Sequence, residues 1–231
     1  MRNKKMKVQN RWRNAAMIFA GMLTGSYLLG FFHPPAAVQA MTAVMLMAAW
    51  LLSQDSRRSV SDYWSDSSEL AAIIHDRLIH HGCSVAAAES ITGGLLSGTL
   101  LTHGGSSAFL KEGVVTYCDA AKEQRLGVSP FILRTCSAVS RQCAESMALG
   151  VRRYAGADIG LSTTGYAGPA TASEEVGLVY VAVAIGEQVF AEEKRYDYKK
   201  LGRDGIRWSV VHDALLLLLE HLPVPSASDH N

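Results

Sequence analysis

A hydroxyl set at the mouth of a helix is the chemically most telling feature of this chain. Residues Ser84 to Ala88 read as a short strand of small side chains that runs into Glu89-Ser90-Ile91-Thr92-Gly93-Gly94 and then into a helix. At such a turn the first free backbone N–H groups of the helix point outward with the positive end of its dipole, so a developing oxyanion beside Ser90 can be stabilised. Gly93 and Gly94 lack Cβ atoms and leave room for a phosphate or an amide carbonyl close to the backbone. The same pattern also suits a plain helix start in which Ser90 or Thr92 is the N-cap.

The elements that must position this turn alternate in type. Ser68 to His81 carries Leu70, Ile73, Ile74, Leu78 and Ile79 near a 3.6-residue period, with Ser67 or Ser68 as N-cap and Gly82 as C′, which predicts a helix. A helix is expected over Thr92 to Leu101, a strand over Gly113 to Tyr117, and helices over Ala120 to Leu126 and Ser140 to Tyr154, the last ending at Gly156. Ile159 to Thr164, Leu178 to Ile185 and Gln188 to Arg195 read as strands, the last two joined through Gly186-Glu187, and Arg203 to His221 closes the domain as a helix. Strands alternating with helices predict a three-layer α/β/α domain with a mixed sheet, in which ligands sit beyond the carboxyl ends of strands. Glu89 to Gly94, Tyr117 to Lys122, and Gly165-Tyr166-Ala167-Gly168-Pro169 all meet that description, so their convergence predicts one site.

The first 52 residues belong to a different physical regime. Arg2, Lys4, Lys5, Lys7, Arg11 and Arg13 form a basic leader, followed by uncharged apolar runs from Ala15 to Phe32 and from Ala36 to Leu52, separated by His33-Pro34-Pro35 and followed by Arg57-Arg58. Each run approaches the roughly 20 apolar residues that span a bilayer, and basic residues flank both outer ends. A transmembrane helical hairpin with both ends cytoplasmic fits best. A cleavable signal peptide ending at Val38-Gln39-Ala40 and a soluble helix pair are the alternatives. The expected organisation is therefore leader and hairpin at 1–52, polar linker at 53–67, globular domain at 68–222 and polar tail at 223–231.

The net charge is +1 and its basic excess sits in the leader, so no stripe of Lys and Arg marks the globular part as a nucleic-acid binder. Cys83, Cys118, Cys136 and Cys143 form no CxxC pair or disulfide framework, which suits buried thiols in a reducing compartment. The eight histidines show no ligand spacing, and no metal site and no cofactor is expected.

Taken in order, Glu89-Ser90-x-Thr92-Gly93-Gly94, Gly104-Gly105-Ser106-Ser107-Ala108-Phe109, Gly113-Val114-Val115-Thr116-Tyr117, Ala121-Lys122, Leu126-Gly127-Val128, Ala138-Val139-Ser140, Gly165-x-Ala167-Gly168-Pro169 and Gly177-Leu178-Val179-Tyr180 resemble the CinA C-terminal domain family, which includes bacterial nicotinamide mononucleotide amidases. The match runs over roughly Leu70 to Leu222. The resemblance implies hydrolysis of the carboxamide of nicotinamide mononucleotide to nicotinic acid mononucleotide and ammonia, with Ser90 as nucleophile, Lys122 as its base and Tyr117 to orient or relay the proton. A serine hydroxyl needs an adjacent base at neutral pH. Gly93 and Gly94 amides are expected at the oxyanion, Thr92, Ser106 and Ser107 at phosphate or ribose, and Glu89, Gly165, Tyr166, Ala167 and Gly168 around the substrate, with a cap or salt-bridge partner as the alternative for Glu89. Asp119 is expected to cap the helix that carries Lys122.

Two segments depart from the family pattern. Cys118-Asp119 stands where the family usually has Ser-Asn, and the acidic Ala170-Thr171-Ala172-Ser173-Glu174-Glu175 replaces a Gly-rich loop with Lys-Pro, which would oppose an anionic substrate. The reading is a membrane-tethered amidohydrolase of pyridine-nucleotide salvage, anchored through residues 15–52 in the inner membrane of a bacterium with its domain in the cytoplasm. It takes a small-molecule nucleotide, binds no nucleic acid and is compatible with self-association. The alternatives are a catalytically silent, membrane-anchored ligand-binding or interaction module of the same family and, on the strength of the altered loop alone, a hydrolase acting on a different amide.

Overall fold

The computed structural model describes residues 60–169 and 175–222. The expected leader and membrane hairpin, the linker as far as residue 59, and the tail at 223–231 lie outside the described residues. Among the described residues no helix is long and apolar enough to cross a membrane.

The stretch 60–67, expected as linker, is helical: α1 spans Val60–His81, so the helix starts about two turns earlier than the apolar periodicity predicts. Ser67, Ala71, Ile74 and Leu78 form its buried stripe, at the three- and four-residue spacing of one helical face. The preceding turns carry mostly polar side chains, so no apolar period announces them. Gly82 ends the helix at φ 62°, a left-handed value that glycine adopts at no steric cost.

Five strands form one mixed sheet in the order β2-β1-β3-β4-β5. β1 (Val85–Glu89) pairs in parallel with β2 (Leu110–Val115) and β3 (Ile159–Gly165), whereas β4 (Leu178–Ile185) and β5 (Gln188–Arg195) continue antiparallel from β3. β1 is buried along its whole length, as a parallel central strand must be. Val85 and Ala87 pack with Ile74, Leu96, Leu161, Val181 and Leu215 on one face, and Ala86 and Ala88 pack with Val114, Leu126, Met147 and Val151 on the other. The first core is covered by α1, α2 (Leu95–Leu100) and α6 (Tyr198–His221); the second by α3 (Asp119–Leu126), α4 (Pro130–Thr135) and α5 (Arg141–Ala155). The predicted three-layer α/β/α architecture with a mixed sheet is present.

Close helix-to-sheet contact depends on small residues. A Cβ on Gly160 would meet the Ala148 carbonyl oxygen at 2.0 Å, so α5 lies against β3 at a distance that only glycine permits. Ala144, Ala148, Ala182 and Ala184 continue the same close seam. Helix α5 starts as predicted, with the Ser140 hydroxyl accepting the Cys143 amide at 3.1 Å. Helix α4 was not expected, although Ser129-Pro130 carries its start signal: a serine N-cap with proline in the first turn.

Candidate active site

The parallel register brings the carboxyl ends of three strands to one edge of the sheet: Glu89 stands opposite Val115 of β2 and Thr163 of β3. A cavity of about 370 Å³ opens there, lined by Ser90, Tyr117 and Lys122, by Thr164 to Pro169, and by Ile91, Asp119, Ala138, Val139 and Arg203. The three segments that the sequence analysis expected to converge do so.

Ser90 is held in line with β1 because its amide donates to the Thr163 carbonyl at 3.0 Å, so the sheet itself fixes the backbone that carries the hydroxyl. Lys122, one turn into α3, is 2% exposed and reaches under the strand ends. Its Nζ lies 3.0 Å from the Thr116 carbonyl oxygen, 3.5 Å from that of Tyr117 and 3.4 Å from Ser90 Oγ. No carboxylate lies within ion-pair distance of it among the described residues. In its neutral form an amine has two N–H donors and one lone pair. Nζ donates to both carbonyls and to the Ser90 hydroxyl oxygen, and if the amine gives up a proton the same contact offers its lone pair to the hydroxyl, the arrangement a general base needs.

Tyr117 lines the cavity and is 68% exposed. Its backbone carbonyl, rather than its phenol, contacts Lys122. Cys143 is buried on α5, within reach of the lysine's charge. Burial pushes its thiol up to about 11; the charge of Lys122 offsets part of that rise and the charge of Asp119 adds to it.

Several expected substrate contacts have other partners. Glu89 is fully buried, and its carboxylate accepts the amides of Gly94 (2.8 Å), Leu96 (3.1 Å) and Ser97 (2.8 Å) and the Ser97 hydroxyl (2.6 Å). It anchors the amino end of α2 and does not line the cavity. The Gly94 amide is thereby occupied, so it is not the expected oxyanion donor. Gly93 does not line the cavity either, and Thr92 is buried with its hydroxyl 2.7 Å from that of Thr163. Arg207 of α6 donates to the carbonyls of Ile91 (3.2 Å) and Thr92 (2.9 Å), which clamps the turn after Ser90. The amide of Ile91, next after the serine in a residue that lines the cavity, takes no partner among the described residues and so remains available as a donor.

Ser106 and Ser107 belong to the opposite end of the sheet. They sit in a 3₁₀ turn before Leu110, which pairs with the first residue of β1, and the Ser106 hydroxyl donates to the carbonyls of Leu100 and His103. The five residues of β1, at about 3.3 Å each, separate them from Ser90. Asp119 is not the cap of α3. Cys118 holds that position, and Asp119 follows it with its side chain exposed at the cavity.

Arg203, which the sequence analysis did not single out, supplies a cation at the cavity, and its guanidinium donates to the Gly168 carbonyl. A break in α6 at Gly202 (φ 65°, ψ −178°) precedes it. Gly202-Arg203 at the start of a predicted helix was the available signal. Glu175, expected to oppose an anion, pairs with Arg195 at 2.6 Å and does not line the cavity, while Glu174 lies outside the described residues. No group of three or more metal-ligating side chains occurs among the described residues.

The same architecture occurs in known proteins. A solved structure titled as the competence/damage inducible protein CihA from Agrobacterium tumefaciens is 40% identical, with a TM-score of 0.64 over 67% of this chain and 94% of that one. One titled as the competence damage-inducible protein A (ComA) from Klebsiella pneumoniae is 34% identical, with a TM-score of 0.64 over 68% and 96%. A CinA-like protein of Desulfovibrio desulfuricans is 41% identical over 162 residues, 69% of this chain but 38% of that relative. The chain thus spans about a third to two fifths of the length of the curated relatives it matches. The family described as CinA C-terminal domain matches residues 67–222, and the chain belongs to it.

Proposed function

We propose that this protein is a Ser/Lys amidohydrolase that cleaves the carboxamide of nicotinamide mononucleotide to nicotinic acid mononucleotide and ammonia. The observation that carries the reading is the buried Lys122 amine, with two backbone carbonyls on its N–H groups and the Ser90 hydroxyl at 3.4 Å. Catalytic hydrogen bonds of this length are common before substrate arrives.

Lys122 takes the Ser90 proton as Oγ attacks the amide carbon. The resulting oxyanion is met by the Ile91 amide. Collapse breaks the C–N bond, and the ammonium of Lys122 returns its proton to the departing nitrogen, so ammonia leaves and an ester remains on Ser90. Water, deprotonated by the same amine, attacks the ester; the carboxylic acid departs and Ser90 recovers its proton. Arg203 offers a positive partner for the phosphate, and Tyr117 and Tyr166 offer apolar faces for ring or ribose.

The ester intermediate makes the reading testable. Hydroxylamine added during turnover is expected to divert the acyl group to the hydroxamate of nicotinic acid mononucleotide, and Ser90→Ala is expected to abolish both products. Hydrolysis that continues undiminished in Ser90→Ala contradicts the mechanism, and ligand binding without any turnover favours a silent binding module. The reading places the domain in the cytoplasm, tethered through residues 15–52; an extracytoplasmic signal from a C-terminal reporter would refute that location.

A further inference from the structure

We propose that Asp119 selects substrates whose scissile carboxamide is carried on a cationic ring, so that the pocket recognises the pyridinium charge as well as the phosphate. The proposal rests on the amidohydrolase reading of the same site and names its substrate class.

Asp119 is an exposed carboxylate at the cavity that accepts no hydrogen bond and joins no ion pair among the described residues. Neither Lys122 nor Arg203 forms an ion pair with it, their hydrogen bonds going to the Thr116 and Gly168 carbonyls, and the mechanism above does not use it. It stands three residues before Lys122 on the same helix, which makes the two side chains neighbours on one helical face. The lysine in turn lies 3.4 Å from Ser90 Oγ.

A ring whose carboxamide carbon meets Ser90 holds its ring nitrogen only two ring positions from the carbon that bears the amide. The positive charge of a pyridinium must therefore lie close to the nucleophile, in the cavity that Asp119 and Ser90 both line. Tyr117 and Tyr166 line the same space, and aromatic faces favour a cation as a carboxylate does. Arg203 approaches from α6, which covers one face of the sheet, whereas Asp119 approaches from α3, which covers the other. The cavity thus offers a negative and a positive group from separate elements, a charge pattern complementary to a zwitterion with a cationic ring and an anionic phosphate. The residue type matters here: an asparagine at this position would keep the shape and lose the charge.

The ring charge can be isolated by comparing oxidised nicotinamide mononucleotide with its reduced dihydropyridine form, which keeps the carboxamide, ribose and phosphate but has a neutral ring. Binding of both is measured by calorimetry on the full chain carrying Ser90→Ala, so that nothing is turned over. The oxidised form is expected to bind about two- to fivefold more tightly, the scale of one exposed charge contact. Asp119→Asn is expected to bring the ratio close to one, and Asp119→Glu to restore it. A role confined to the first turn of α3 would leave that ratio unmoved. With Asp119 intact, raising salt from about 0.05 to 0.5 M is expected to narrow the ratio, a reading that needs no variant at that position.

A ratio that survives Asp119→Asn overturns the inference while the amidohydrolase reading stands. So does a ratio insensitive to salt. Absence of binding and turnover with oxidised nicotinamide mononucleotide overturns both.

Discussion

Two carboxylates that follow neighbouring strands show how a residue's type can be plain while its task is settled only by the fold. Glu89 precedes the nucleophile and reads as either a substrate ligand or a cap; it is fully buried and accepts four hydrogen bonds at the amino end of α2, the second of those roles. Asp119 reads as a helix cap, yet its side chain is exposed at the cavity. Sequence spacing places both at strand ends but does not say which way each side chain turns, since that is decided by which amides the neighbouring helix leaves unpaired. Ser90 and Lys122 were legible because the order of their surrounding motifs is specific. Arg203 and Arg207 were not, because they come from a distant helix and act on backbone carbonyls that no motif marks. The buried role of Glu89 predicts that Glu89→Ala lowers the unfolding free energy by about 3–5 kcal/mol, since it strands several buried donors at once. Urea unfolding checks this, and a loss below about 1 kcal/mol would show that the α2 anchor is not needed.

At the scale of elements, helix α2 starts later than its apolar pattern suggests. Gly93 (φ 59°) and Gly94 (φ 97°) adopt left-handed backbone, so the helix cannot begin before Leu95. Strand β2 is displaced in the other direction. As an edge strand it buries only Val114 and leaves Lys111, Gly113 and Val115 exposed, so the run Val114 to Tyr117 drew the expected strand downstream. Its true end at Val115 frees Thr116 and Tyr117 to present their carbonyls to Lys122. The turn between β1 and α2 is held from outside by α6 through Arg207. Arg207→Ala is therefore expected to lower kcat about tenfold with little change in KM, because it loosens the geometry of the nucleophile rather than the contacts to substrate. Steady-state kinetics separates the two, and a pure rise in KM would mean that Arg207 binds substrate instead.

At the scale of the whole molecule, the layer order and mixed sheet were readable from alternating periodicities, whereas the polar network that ties β5 to α6 was not, since it joins residues far apart in the chain. Within it Asp213 accepts from the Tyr196 hydroxyl at 2.8 Å, with His212 and Lys194 beside it. Burial works to raise the Asp213 carboxyl, but the hydrogen bonds from His212 and Tyr196 and the charge of Lys194 outweigh it and hold it below the usual range. Asp158, bonded by the Ser84 hydroxyl and amide, is lowered as well. Lowered folded values mean that both contribute stability above the ordinary aspartate value of about 3.9 and lose it as pH falls through the folded values. Unfolding free energies measured at pH 7 and about pH 3 are expected to differ less in Asp213→Asn than in the parent chain. An equal difference would remove Asp213 from the acid response. The central claim concerns the pair at the sheet edge, and ammonia release from nicotinamide mononucleotide by the full chain, beside Ser90→Ala and Lys122→Met, tests it most directly. The account predicts turnover in the parent that falls at least about a thousandfold in each variant; a folded parent that releases no ammonia, or a Lys122→Met chain that keeps its rate, would contradict it.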